Sequence, residues 1–202
     1  MLRTGKYEPH VLSAIQVNLQ ANDVFWDVGS NVGFHSISIR QLYPDISIYA
    51  FEPNPIIFSR LWANISLNSQ QIKIFNFGLA AESGFAELSI KTLGNSGLSS
   101  FVPLQEIDYD QKFSCPVFSG DELILNKIAL PPNIIKIDVE GFEFSVFKGM
   151  TNALKSNKLR AIIFEARGFK EESELAELLT GLGFSTFTPL YSDLDWIATR
   201  PT

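Results

Sequence analysis

Asp27, Gly29, Ser30, Asn31 and Gly33 stand close together in the run Phe25-Trp26-Asp27-Val28-Gly29-Ser30-Asn31-Val32-Gly33-Phe34-His35. An apolar strand that runs into spaced glycines and then a helix makes a tight turn at the carboxyl edge of a sheet. That edge is where α/β proteins place ligands. Gly29 lets the chain turn and a ligand approach the backbone, and Gly33 lets the helix sit close to the strand. Amide groups at the helix start attract anions or carboxylates. The spacing is not a dinucleotide fingerprint, because Asn31 stands where G-x-G-x-x-G needs its middle glycine. It suits a nucleoside with an amino-acid tail, with Asp27 available to the tail's ammonium group or to an ordered water. The plain alternative is a strand-to-helix turn with no ligand.

Glu52 follows about twenty residues later, in Ile48-Tyr49-Ala50-Phe51-Glu52-Pro53-Asn54. An acidic residue at the end of a second strand is the expected partner of ribose hydroxyls. A carboxylate accepts two such bonds at once. As a mere helix-terminal charge it would contribute only about 0.3–1 kcal/mol.

The third informative run is Ile134-Ile135-Lys136-Ile137-Asp138-Val139-Glu140-Gly141. A central parallel strand is buried on both faces and should be almost wholly apolar. Strand alternation puts Ile135, Ile137 and Val139 on one face and Lys136, Asp138 and Glu140 on the other. Such residues are seldom buried unless paired. Transfer of a methyl group from a sulfonium to a hydroxyl would use them. Asp138 would accept the hydroxyl proton or orient the acceptor, and Glu140 would do the same or hold the substrate. Lys136 would keep both carboxylates ionised. A structural ion pair capping the strand is the alternative. Asp138, Glu140 and Glu165 also end adjacent strands and offer the hard oxygen ligands of magnesium or calcium. Sequence fixes no geometry for them, and no metal is assigned.

The elements that must position these residues alternate β-rich runs with helical ones, the pattern of a parallel sheet covered on both faces. Residues 1–22 open with a helix carrying Val11, Leu12, Ile15 and Leu19. Val24–Val28, Ile46–Phe51, Gln71–Phe77, Phe85–Ile90, Ile134–Asp138 and Arg160–Glu165 read as strands. Asn31–Leu42, Pro55–Asn68, Asp121–Ala129, Phe142–Leu154 and Glu171–Leu182 read as helices, and Phe184–Thr188 and Asp195–Thr199 as a closing antiparallel edge. Residues 91–118 read as an irregular, loop-rich stretch near the acceptor. The whole, 1–202, reads as one doubly wound α/β domain.

Composition sets bounds on function. A net charge of -6 with no basic cluster argues against nucleic acid as partner. Cys115 is the only cysteine, which excludes an intramolecular disulfide and a cysteine-based zinc site. The first twenty residues lack the apolar run of a signal peptide, and no stretch reaches the roughly 18 apolar residues of a membrane span. The expectation is a cytoplasmic protein with no membrane partner. Oligomeric state is left open.

Taken together, Asp27–Ser36, the A-F-E-P-N-P run Ala50–Pro55 with Asn64 and Asn68, K-I-D-V-E-G-F-E (Lys136–Glu143), Lys148-Gly149 and Ile162–Glu165 resemble the FkbM-type methyltransferases. The resemblance implies a Rossmann-like class I methyltransferase fold, a mostly parallel seven-stranded sheet with helices on both faces. It implies S-adenosyl-L-methionine as cofactor and O-methylation of a sugar or other small-molecule or glycan acceptor. It supports cofactor roles for Asp27, Gly29, Ser30, Asn31, Gly33, Glu52, Pro53 and Asn54, and a place for Asp138 beside the methyl group. Glu8 matches a family tendency for an acidic residue before the first strand. His35 either faces the site or packs on its helix. The loop from Asn95 to Ser100 resembles one that covers the acceptor. An NAD(P)-dependent oxidoreductase and a non-catalytic nucleotide-binding module are the alternatives. The missing middle glycine weighs against the first, and the intact carboxylates weigh against the second.

Overall fold

Buried β-branched and aromatic runs set the strands of the larger sheet. A computed structural model describes residues 7–68, 71–92, 98–103, 107–166, 169–170, 173–191 and 194–201. The elements are α1 (Pro9–Asn18), β1 (Val24–Val28), α2 (Phe34–Leu42), β2 (Ser47–Phe51), α3 (Pro55–Leu67), β3 (Lys73–Phe75), β4 (Gly78–Leu79), β5 (Gly84–Ile90) and β6 (Ser99–Ser100). They continue with β7 (Gln111–Phe118), α4 (Gly120–Leu125), β8 (Ile134–Ile137), α5 (Glu143–Lys148), α6 (Thr151–Lys155), β9 (Ala161–Glu165), α7 (Glu174–Gly181), β10 (Thr186–Pro189) and β11 (Asp195–Thr199).

Seven strands form one sheet in the order β3-β2-β1-β8-β9-β11-β10. Its first five are parallel, while β11 runs antiparallel to both β9 and β10. The sheet is the Rossmann-like, mostly parallel one expected, with β10 at the edge and β11 inside it. The chain winds outward from β1 in one direction and from β8 in the other, so the crevice opens at their carboxyl ends. Register then levels the site: Val28 lies opposite both Phe51 and Ile137, and Ile137 lies opposite Phe164. The next residues, Gly29, Glu52, Asp138 and Glu165, therefore share one row.

Both sheet faces are covered. On one, Trp26, Val28, Phe51, Ile135, Ile137 and Phe164 pack with Phe147, Leu154 and Leu179. On the other, Phe25, Ile48, Ile134 and Ile163 pack with Ile15 of α1 and Ile39 of α2. Each such side chain contributes about 1.5–3 kcal/mol by leaving water.

Three expectations need correcting. The helix after β1 begins at Phe34, not Asn31, because Asn31 and Gly33 take left-handed angles (φ 49 and 86) that an α-helix cannot continue. Phe142–Leu154 is two short helices, α5 and α6. The Gly149 carbonyl accepts from the Asp121 amide (3.0 Å) and Ser119 Oγ (2.9 Å), while the Asp121 carboxylate takes the amides of Asn152 and Ala153. The stretch 91–118 is not wholly irregular. Gln111–Phe118 pairs antiparallel with β5 from Gly84–Val117 to Ile90–Gln111, within a second sheet of order β4-β7-β5-β6. Cys115 and Val117 face inward there with Leu88 and Ile90. Residues 1–6, 95–97 and 171–172, included in the expected opening segment, acceptor loop and final helix, lie outside the described residues. Among the described residues no helix is long and apolar enough to cross a membrane.

Candidate active site

The turn after β1 is built by backbone bonds. The amides of Gly29 and Ser30 both donate to the Phe51 carbonyl at 3.0 Å, and the Gly33 amide donates to Ser30 at 2.9 Å. Asn31 donates its amide to Glu52 Oε2 at 2.9 Å, and the Val32 amide donates to Asn31 Oδ1 at 2.8 Å. These amides already have protein acceptors, so this turn is not the open anion nest that its glycines suggest. Gly29 is required by space as well as by φ 72: a Cβ there would lie 1.8 Å from the Asp138 carbonyl oxygen. Gly33 (φ 86) makes room for Leu61 of α3, 2.5 Å from an added Cβ, and not for the strand. Asn64, also on α3, donates to the Val32 carbonyl and ties the turn to that helix.

Glu52 sits almost fully buried between two amides, accepting from Asn31 at Oε2 and from Asn54 at Oε1, each 2.9 Å. Burial pushes its carboxyl up to about 7, against the pull of those two bonds. Asn54 caps α3, its side chain accepting from the Ile56 and Ile57 amides, and is buried behind Glu52.

Asp27 and Lys136 face the α1–α2 side of the sheet, not the crevice. Asp27 accepts from Ser36 Oγ at 2.6 Å, and its second carboxylate oxygen lies 3.5 Å from Lys136 Nζ. Lys136 Nζ also donates to the Gly29 carbonyl at 2.8 Å and lies 3.3 Å from Asp138 Oδ2. Burial alone would drive the ammonium to lose its proton, but Asp138, Asp27 and Glu8 around it hold its affinity above the ordinary lysine value. Reciprocally, burial would raise the Asp138 carboxyl, but Lys136 and a hydrogen bond from Glu165 hold it below the usual range. His35 is buried with Nε2 2.9 Å from Glu8 Oε2. The Glu8 carboxyl is pushed up by burial but held lower on balance by that histidine.

β8 ends at Ile137, so alternation does not carry Glu140 onto the Lys136 face. Glu140 (φ 54) and Gly141 (φ 95) instead form a left-handed turn. Glu143 Oε1 accepts the amides of Val139 (3.2 Å) and Gly141 (3.1 Å) from below. From above, Ser100 Oγ of β6 donates to the Glu140 carbonyl at 2.7 Å. The turn brings carboxylate oxygens of Asp138, Glu140 and Glu165 within 4.8 Å of one another.

These turns open into a cleft at the carboxyl end of the sheet. Of the expected site residues, Glu8, Gly29, Asn31, Glu52, Pro53, Asp138 and Glu140 line it. Asp27, Ser30, Gly33, His35, Asn54 and Lys136 are not among its described lining residues and stand behind it. Tyr7, Glu165, Phe77, Leu88 and Phe101 also line it. The sequence offers Glu165 only as a metal candidate and carries no site signal for the other four: Tyr7 precedes α1, and the rest come from the β3–β4 connection and the small sheet with the residue that follows β6. Burial and its neighbour Glu8 push the Tyr7 hydroxyl up to about 12, so it serves as a donor at neutral pH.

The family model described as the methyltransferase FkbM domain matches residues 27–186. The hexuronic acid methyltransferase AglP of Haloferax volcanii is 30% identical over 200 residues, covering 98% of this chain and 79% of that protein. The 31-O-demethyl-FK506 methyltransferase FkbM of Streptomyces tacrolimicus is 24% identical over 92% of this chain and 84% of its own length. Among solved structures, a precorrin-6y C5,15-methyltransferase from Geobacter metallireducens superposes with a TM-score of 0.57 at 14% identity, covering 96% of this chain and 88% of that one.

Proposed function

The chain belongs to the FkbM methyltransferase family, and from that premise we propose that it methylates a hydroxyl oxygen of a sugar or other small-molecule acceptor. S-adenosylmethionine is the methyl donor, and when bound it supplies an electrophilic methyl on a cationic sulfonium. Membership sets aside a nicotinamide oxidoreductase. The cleft fits the donor. It lies at the carboxyl ends of the strands where the winding of the sheet reverses, the place where such sheets bind ligands. Glu52, held by two amides, is disposed to accept from a ribose diol at the switch point. Glu8, Asp138 and Glu140 around the cleft suit a cation.

Each residue then has a task. Glu52 accepts from the ribose, with Gly29, Asn31 and Pro53 forming the wall beside it. Glu8 meets the ammonium of the amino-acid tail. Asp138 accepts the proton of the acceptor hydroxyl as its oxygen attacks the methyl carbon, and Glu140 holds a neighbouring hydroxyl. Lys136 acts through Asp138, keeping it ionised. Asp27, Ser30, Gly33, His35 and Asn54 hold these groups from behind. Most of the acceleration comes from aligning oxygen, methyl and sulfur in line.

The observation that carries this reading is the single row of Glu52 and Asp138 across one cleft, with Asp138 kept ionised by Lys136. Titration with S-adenosylhomocysteine between pH 6 and 8 tests it. The free Glu52 carboxyl titrates at about 7 and binds hydroxyls best when ionised, so affinity should rise with pH through that value. Glu52→Gln should lose about tenfold in affinity at pH 8 and flatten the pH dependence. Asp138→Asn should keep the ligand and lose about 10²–10⁴ in kcat. A folded protein that ignores the ligand at every pH overturns the proposal.

A further inference from the structure

The β10–β11 connection and the start of α1 meet at the carboxyl end of the sheet, beside the cleft. β11 runs antiparallel to β9, so its first residue, Asp195, lies opposite Glu165, the last of β9 and a lining residue of the cleft. The connection is tied down at both ends. The Leu190 amide donates to the Asp195 carbonyl at 2.9 Å, and the Ala166 amide donates to the Leu194 carbonyl at 2.8 Å. Asp195 Oδ2 lies 2.8 Å from Nε2 of His10, in the first turn of α1. The His10 ring in turn stacks on Tyr191, with centroids 5.3 Å apart and planes 24° from parallel. Tyr191 is nonetheless 85% exposed. A single exposed aromatic is ordinary on a protein surface. This one is braced by a histidine that an aspartate holds in turn. Asp195 stands two strands along the sheet from Asp138, a span of about 10 Å.

We infer that Tyr191, His10 and Asp195 form a second acceptor subsite, which holds the sugar unit next to the one that is methylated, so that the acceptor is an oligosaccharide and not a single sugar. The inference rests on the methyltransferase reading above and deepens it. A pyranose divides its surface as this patch does, with C–H groups on its face and hydroxyls at its edge. The face lies on the Tyr191 ring, and the edge hydroxyls reach His10 and Asp195, whose side chains are both partly exposed. The bracing matters because a ring already held in place loses little freedom when a ligand lands on it. With the reacting hydroxyl beside Asp138, the patch lies too far along the sheet for the same sugar ring. It is within reach of the next ring of a chain.

The experiment compares methyl glycosides of glucose, galactose, mannose and glucuronic acid with disaccharides that carry the same units, and with the matching phenyl glycosides. Release of S-adenosylhomocysteine reports turnover, and saturation-transfer NMR on the product-bound protein reports binding. In at least one series the disaccharide should exceed its monosaccharide by about tenfold in kcat/KM or in affinity. Tyr191→Ala should remove that gain and Tyr191→Phe should keep it, with S-adenosylhomocysteine bound by both variants as by the native protein. A gain that survives Tyr191→Ala, or no gain in any series, overturns the inference. A phenyl glycoside that gains as much as the disaccharide makes the patch a general apolar surface and overturns it too. Silence from every sugar in a protein that still binds S-adenosylhomocysteine also overturns it and leaves the methyltransferase reading standing. Failure to bind S-adenosylhomocysteine fails that reading itself.

Discussion

The turns that follow β1 and β8 sit side by side at the carboxyl ends of adjacent parallel strands, and they are held in different ways. The first is fixed by space and backbone: Gly29 lies against the Asp138 carbonyl, and the Phe51 carbonyl gathers two of its amides. The second is fixed by side chains: Glu143 holds its amides and Ser100 holds its carbonyl. Gly141 has nothing within 4 Å of an added Cβ. The turn after β1 is rigid by exclusion, whereas the turn after β8, which presents Glu140, is tunable by its hydrogen bonds.

The two glycines give the sharpest way to break that contrast. Gly29→Ala should remove most of the ~5–15 kcal/mol that holds a domain, because backbone must move to admit the methyl. Gly141→Ala should cost only about 1–2 kcal/mol, the strain of a left-handed alanine. Thermal melts of the two variants check this, and equal losses would erase the distinction between the turns.

Lys136 links them, bonding the Gly29 carbonyl while standing beside Asp138. Lys136→Met should cost about 3–5 kcal/mol, since it leaves Asp27 buried without its cation. It should also move the acid limb of kcat to higher pH. Asp138 is held low in the native protein, so its stabilising ionisation persists above the ordinary carboxyl value and fades as pH falls through the lowered one. Without the ammonium, burial raises that carboxyl and the fade begins at higher pH. A pH–rate profile that does not move would separate Lys136 from Asp138. Ser100→Ala should have the smallest effect, about 1 kcal/mol, seen as a rise in acceptor KM with S-adenosylhomocysteine affinity preserved. An equal weakening of the cofactor would show that the small sheet supports both turns.

Much of this was legible in the residues. Spaced glycines after Val24–Val28 and an acid ending the next strand can be read along the chain, because both are local demands of a strand turning beneath a ligand. Gln111–Phe118 was not legible as a strand, since Pro116 argues against one, only Cys115 and Val117 of the run are buried, and its partner β5 is distant in sequence. Tyr7 and Phe101 gave no signal for the same reason: their place in the cleft comes from contacts between remote segments.

The sequence by itself determined the larger sheet, the turn after β1 and the family resemblance, because hydrophobic period, glycine spacing and acidic strand ends are local. Only the tertiary structure decided which charges face the crevice. Asp27 and Lys136 look like crevice residues in the sequence, but the register of β1 and β8 turns both toward α1 and α2, where they pair. Glu140 looks like their neighbour on one face, yet a left-handed turn after Ile137 carries it into the cleft. Strand pairing sets the face of each side chain, and a change of backbone hand at a strand's end resets it. Neither is written in the identity of the residue.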